Sequence, residues 1–139
     1  MRSAILDTNI LIDLLDRSDL RVADAVSSLD ELLLTPVVIG EYLAGIRPGK
    51  NGDKAKAVIE NLLDDVNVRF LWMTKATGKR YAEIFQQLKS KGTPIPANDI
   101  WIAASAIEND VAILTKDAHF KLIDNLRLAG DLIAQEGAL

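Results

Sequence analysis

Four short apolar runs punctuate this chain: residues 3–6 (SAIL), 32–34 (LLL), 68–72 (VRFLW) and 111–114 (VAIL). Apolar runs this short, with no alternating polar face, suit strands covered on both sides, as in parallel sheets. Parallel neighbours need long crossover connections. The intervening stretches supply them, because their apolar residues recur at helical spacing.

Thr8 to Leu15 reads as the first helix, and Leu20, Ala23, Val26 and Leu29 form an apolar stripe after Ser18, a predicted N-cap. Thr35-Pro36 pairs a capping residue with a proline at the first helical position, predicting a helix over residues 36–46. The loop at residues 47–52 breaks it, and Ala55, Val58, Ile59, Leu62 and Leu63 then repeat at amphipathic spacing. Thr74 opens another helix whose Tyr81, Ile84, Phe85 and Leu88 share a face, with Gly92 as its stop. Residues 98–108 are apolar nearly all round, which places that helix centrally. The fold class is therefore α/β: a parallel sheet with helices on both faces, joined by right-handed crossovers. The residues after 119 give no clear pattern.

A chain of 139 residues fits one domain. With no cysteine and one histidine, disulfides and thiolate sites are excluded and a zinc site is disfavoured. The first apolar stretch is interrupted by Asp7, too early for a signal peptide or membrane span, so a cytoplasmic protein with no membrane partner is expected. A net charge of -4 argues against a broadly basic binding surface, while leaving local basic patches open. The apolar share of 49% is high enough to suggest burial against a partner.

Among the 20 acidic residues, four stand where an ordinary solvated charge would not. Asp7 ends the first strand, at the carboxyl edge where parallel sheets bind ligands; capping the helix from Thr8 accounts for it equally well. Glu41 is the one charge within residues 36–46, amid Val37, Val38, Ala44 and Gly45, and needs a partner unless the helix rim exposes it. Asp99 lies in the first turn of the apolar helix, below Ile102, Ala103 and Ala106, and should point inward; dipole stabilisation is its plain alternative, with Asn98 available to cap. Asp117 follows the fourth strand in AILTKDAHF as Asp7 follows the first in AILDTN, so both emerge on one edge. Four converging carboxylates repel one another unless cations neutralise them. Mg²⁺ or Mn²⁺, which prefer carboxylate and water oxygens, are the natural choice.

In order and spacing, LDTNILID, the lone Glu of PVVIGEYLAGI, IPANDIWIAASA and ILTKDAHF resemble the PIN-domain nucleases, and within them the VapC-type toxins of bacterial and archaeal toxin–antitoxin pairs. The resemblance implies a three-layer α/β/α sandwich over a single domain, residues 1–139, and a homodimer. It implies a metal-dependent endoribonuclease held inactive by a VapB-type antitoxin whose C-terminal segment fills a groove near the site. Asp7, Glu41 and Asp99 match the core acidic positions, and Asp117 the more variable fourth; Thr8, Asn9 and Thr115 would orient ligands or water, and Asn98 would add a contact. Water activated by the metal would attack phosphorus, leaving a 5′-phosphate and a 3′-hydroxyl.

Cations that would meet RNA cluster at Arg47, Lys50, Lys54 and Lys56, at Lys116 and Lys121 around Asp117, and at Lys75, Lys79 and Arg80; Arg47 and Lys116 are preferred. His119 is read as a structural or surface residue outside the catalytic set. Trp72, Trp101, Tyr42 and Tyr81 are read as core or interface. Two rival readings remain. A magnesium-dependent phosphoacceptor domain would use Asp7, Thr115 and Lys116 but leaves Glu41 and Asp99 unexplained. A catalytically silent binding module would keep the fold alone.

Overall fold

The computed structural model describes residues 2–45 and 52–133. Strand β1 (Ser3–Leu6) leads into helices α1 (Thr8–Leu15) and α2 (Leu20–Ser27), then β2 (Glu31–Leu34), α3 (Pro36–Ala44), α4 (Gly52–Leu63) and β3 (Val68–Phe70). Two further helices, α5 (Lys75–Lys91) and α6 (Ala97–Glu108), precede β4 (Ala112–Leu114), and short 3₁₀ turns follow at Ala118–Leu122 and Gly130–Leu132.

All strand pairs are parallel, in the order β3-β2-β1-β4, and Ile5 stands opposite Leu33 on one side and Ile113 on the other. The chain steps from β1 to β2 to β3 in one direction, then returns to the opposite flank of β1. With right-handed crossovers, that reversal sends α1 to α4 over one face and α5 and α6 over the other. The packing agrees: α6 lies on β1, β4 and α5, while α1 packs against α2 and α3. The expected α/β architecture with a covered parallel sheet is what the protein adopts.

Ile5, Leu6, Leu33, Leu34, Ile113 and Leu114 are completely buried, as the unalternated strand sequences require. Each contributes about 1.5–3 kcal/mol relative to remaining in water. On α6, Ile102, Ala103, Ala104 and Ala106 are also fully covered; the alanines let the helix approach the sheet closely.

The helix ends follow the capping chemistry with two exceptions. Thr35 accepts from the Val38 amide at 3.3 Å with Pro36 beside it, and Gly92 closes α5 with φ at 69°. Asp19, not Ser18, caps α2, taking the Arg21 and Val22 amides, while Ser18 turns into the left-handed region at φ 51°. Asn98 does not cap α6: Pro96 occupies the N-cap position and the helix begins at Ala97. The helix predicted over residues 36–46 ends at Ala44, before Gly45 at the C-cap, and Ile46 lies outside the described residues. The third strand ends at Phe70, so Trp72 is 77% exposed rather than core, its ring edge-on to Phe70. Of the other aromatics, Tyr42 is buried and donates its hydroxyl to Asp16, and Tyr81 packs on Trp101.

Candidate active site

β1 and β4 are neighbours at the point where the strand order reverses, and the crevice beyond their carboxyl ends is where such sheets accept ligands. Asp7 opens that crevice, its amide fastened to the Leu114 carbonyl at 3.0 Å. One carboxylate oxygen takes the Thr8 amide at 2.8 Å, as an N-cap should. The other takes the Thr115 hydroxyl at 2.7 Å and the Asn9 amide at 3.1 Å. The capping and site readings of Asp7 are thus compatible, one for each oxygen. Asp7 is 4% exposed, and all these donors are neutral. Burial pushes its carboxyl above the usual range, against the pull of the Thr115 and Thr8 bonds; Asp99 and Glu41 push it further.

Glu41 reaches the same crevice from the middle of α3, half-buried. Thr8 donates its hydroxyl to one oxygen at 2.8 Å and Asn98 donates its side-chain amide to the other at 3.2 Å. These donors supply the partners that its apolar helix lacks. Asn98 thereby bridges α6 to α3 instead of capping its own helix.

Asp99 points inward from the first turn of α6, 8% exposed. Burial raises its carboxyl, the His119 hydrogen bond lowers it, and the charges of Asp117 and Glu41 raise it again. Asp117 caps the turn Ala118–Leu122 through the His119 amide at 2.9 Å, and its own amide donates to Thr115 Oγ1, also at 2.9 Å. Thr115 therefore ties Asp7 to Asp117. The carboxylates of Asp7, Glu41, Asp99 and Asp117 form one repelling set, through the pairs Asp7–Asp99, Asp7–Glu41, Asp99–Glu41 and Asp99–Asp117.

His119, expected to be a structural or surface residue outside the catalytic set, is exposed and stands at the edge of the crevice. Its Nδ1 lies 3.0 Å from Asp99 Oδ2 and 3.1 Å from Asp117 Oδ1, between two carboxylates. The bond to Asp99 is the main cause that holds its pKa above the ordinary value, against partial desolvation. The missed signal was local: a turn capped by Asp117 swings the residue two positions on back over the cap.

Lys116, a preferred RNA contact in the sequence, is paired within the fold. Its ammonium sits against Asp13, a 4% exposed carboxylate on α1, and 3.6 Å from Asp19, so it serves an internal ion pair rather than presenting a free cation. Arg17 adds a second contact to Asp13 at 3.3 Å. Arg47 and Lys50 lie outside the described residues.

The ligand atoms of Asp99, Asp117 and His119 all fall within 4.8 Å of one another, a group able to hold a metal ion. Two more carboxylates face this group, and Asp7 has only neutral donors to offset its charge. A donor set of carboxylate oxygens and one imidazole fits a hard or borderline divalent cation.

Comparisons with known proteins identify the family. The PIN domain family model matches residues 4–126. Ribonuclease VapC1 of Haemophilus influenzae (strain R2866) is 31% identical over 127 residues, covering 88% of this chain and 93% of that protein. Among solved structures, VapBC-1 of nontypeable Haemophilus influenzae superposes with a TM-score of 0.79 at 28% identity, over 91% of this chain and 96% of that one. FitAcB of Neisseria gonorrhoeae gives a TM-score of 0.74 at 26% identity, over 90% and 96%. With a family match over most of its length and the acidic crevice in place, the chain belongs to the PIN-domain family.

Proposed function

We propose that this chain is a metal-dependent endoribonuclease, the toxin of a toxin–antitoxin pair, that hydrolyses RNA phosphodiesters. The observation that carries the reading is Asp7: a buried carboxylate with neutral donors alone, electrostatically coupled to Asp99 and Glu41 at the ligand-binding edge. Such an arrangement is costly without a cation and useful with one. Asp99 and Asp117 would hold Mg²⁺ or Mn²⁺, with Asp7 and Glu41 completing the oxygen donors. When bound, the ion supplies charge neutralisation for the phosphate and lowers the pKa of an attacking water.

The remaining side chains orient that set. Thr8 and Asn98 hold the Glu41 carboxylate, Asn9 and Thr115 hold that of Asp7, and Thr115 also fixes the backbone of Asp117. His119 places a ring nitrogen between Asp99 and Asp117. The likeness to Ribonuclease VapC1 supports RNA as substrate. The likeness to VapBC-1 supports a VapB-type antitoxin partner. A homodimer, a single domain over residues 1–139 and a cytoplasmic location complete the reading; among the described residues no helix is long and apolar enough to cross a membrane. The phosphoacceptor alternative loses its lysine, because the Lys116 ammonium is committed to Asp13.

The test is cleavage of structured RNAs by the purified chain with Mg²⁺ or Mn²⁺, with chelator, and with Asp7→Asn and Asp99→Asn. Metal-dependent cleavage leaving 5′-phosphate ends, lost in both folded variants, is the expected result. Cleavage that survives chelation, or an acyl-phosphate on Asp7, would overturn it.

A further inference from the structure

A cleft of about 570 Å³ opens beside Asp117, between the first turns of α2, the turn Ala118–Leu122 and the segment 128–133. That volume lies within the roughly 300–1,000 Å³ of ligand-binding clefts, and a sphere of that size is about 10 Å across. Three cations line it: Arg21 from α2, and Lys116 and Lys121 from either side of Asp117. They differ in what they are free to do. Lys116 is engaged by Asp13 and Asp19. Arg21 and Lys121 make no ion pair among the described residues, although Asp19 feels the field of Arg21. Asp131, also in the wall, is turned toward Arg2 at 3.8 Å.

Thr115 and Asp117 belong to the wall of this cleft and to the carboxylate crevice alike. The two spaces therefore adjoin, with Thr115 and Asp117 between them. A strand whose scissile phosphate lies at the carboxylates must carry its neighbouring phosphate away along some route. This one offers uncommitted positive charge in a cleft that Asp117 itself borders. An acidic protein, at net -4, gains most from cations concentrated there. We propose that the cleft is an RNA phosphate subsite, in which Arg21 and Lys121 hold the backbone phosphate next to the one that is cut. The proposal rests on the nuclease reading and adds the side chains that position the substrate. A guanidinium and an ammonium bind phosphate without reading bases, so the subsite sets register and affinity rather than sequence.

The test uses a fluorescent single-stranded RNA oligonucleotide with the full chain, comparing Arg21→Ala, Lys121→Ala and the double variant with Lys89→Ala, a remote lysine on α5. Anisotropy titrations give Kd at several salt concentrations, and cleavage assays give kcat and KM. The double variant should raise Kd and KM about tenfold and leave kcat within about twofold. It should flatten the slope of log Kd against log salt by about 1.4, since each lost contact to a single strand removes about 0.7. Lys89→Ala should match the parent. An unchanged Kd and salt slope in the double variant overturns the subsite while cleavage by the parent upholds the nuclease. RNA binding that depends on Arg21 and Lys121 without cleavage does the reverse. A parent that binds no RNA, or a hexaglutamate peptide that occupies the cleft as tightly as RNA with the same dependence on Arg21, also overturns the proposal.

Discussion

Replacing Lys116 by methionine tests the internal ion pair that sequence could not show. The substitution keeps the aliphatic stem and deletes the ammonium that faces Asp13, whose side chain is 6% exposed. Breaking a buried pair by removing one partner costs about 3–5 kcal/mol. Two features reduce that here: the Lys116 side chain is itself 39% exposed, and Arg17 still contacts Asp13 at 3.3 Å. A loss of about 1–3 kcal/mol is expected. Unfolding entropy of about 2.1 cal/mol/K per residue gives about 290 cal/mol/K for the 139-residue chain. Each kcal/mol is then worth about 3.4 °C, and Tm should fall by about 3–10 °C. Thermal denaturation in chelator measures it, with Asp13→Asn and the double variant closing a cycle whose coupling should reach at least about 1 kcal/mol. Arg17→Ala, which removes a contact from a 73% exposed side chain, should cost under about 1 kcal/mol. A Lys116→Met protein melting within about 1 °C of the parent, with no coupling to Asp13, would refute the reasoning.

Three other outcomes follow from the site. The Asp7 carboxyl is raised above its ordinary 3.8, so its ionisation in the fold detracts from stability as pH rises past that value. In chelator, the Tm of Asp7→Asn should accordingly match the parent below pH 3.8, exceed it as pH rises through the raised folded-state pKa, and keep that advantage above it; an advantage confined to pH below 3.8 would contradict the burial argument. Mg²⁺ or Mn²⁺ at a hundredfold excess over its Kd should stabilise the parent by about 2.7 kcal/mol, seen as a Tm rise of about 9 °C by calorimetry. Asp99→Asn should abolish most of that rise, and an undiminished rise in that variant would move the ion elsewhere. Thr8→Val deletes the hydroxyl that holds Glu41 at 2.8 Å; steady-state cleavage should fall about tenfold with Tm lowered by no more than about 5 °C, as loss of about one hydrogen bond implies.

The strands and helices were legible because their signals are local. Leu33, Leu34, Ile113 and Leu114 are buried on both sides as their runs required, and Thr35-Pro36 began a helix where its chemistry said it should. Asp7 and Asp99 declared themselves by standing where a charge is costly, and the matched sequences around Asp7 and Asp117 announced a common edge. What stayed hidden depends on contacts across the fold. Nothing near Lys116 in the chain reveals that Asp13, 103 positions earlier, takes its charge. His119 enters the site through a tight turn rather than a periodic pattern, and Asn98 passes over its own helix end for Glu41, 57 residues away. Ser18 and Asp19 are both good caps, and only the backbone path, with Ser18 at φ 51°, decides between them.

The strand order carries a consequence for synthesis. β1 bears Asp7 near the start of the chain, yet the strand that brings Asp117 beside it is β4, the last to be made. A ribosome adding about 5–20 residues per second therefore exposes an N-terminal half that holds Asp7 and Glu41 but neither Asp99 nor Asp117. On the function proposed above, a growing polypeptide is harmless to the RNA around it. On that proposal, cleavage waits until Asp99 and Asp117 have both been made and β4 has closed the flank of the sheet, an interval in which a co-produced inhibitor can be ready.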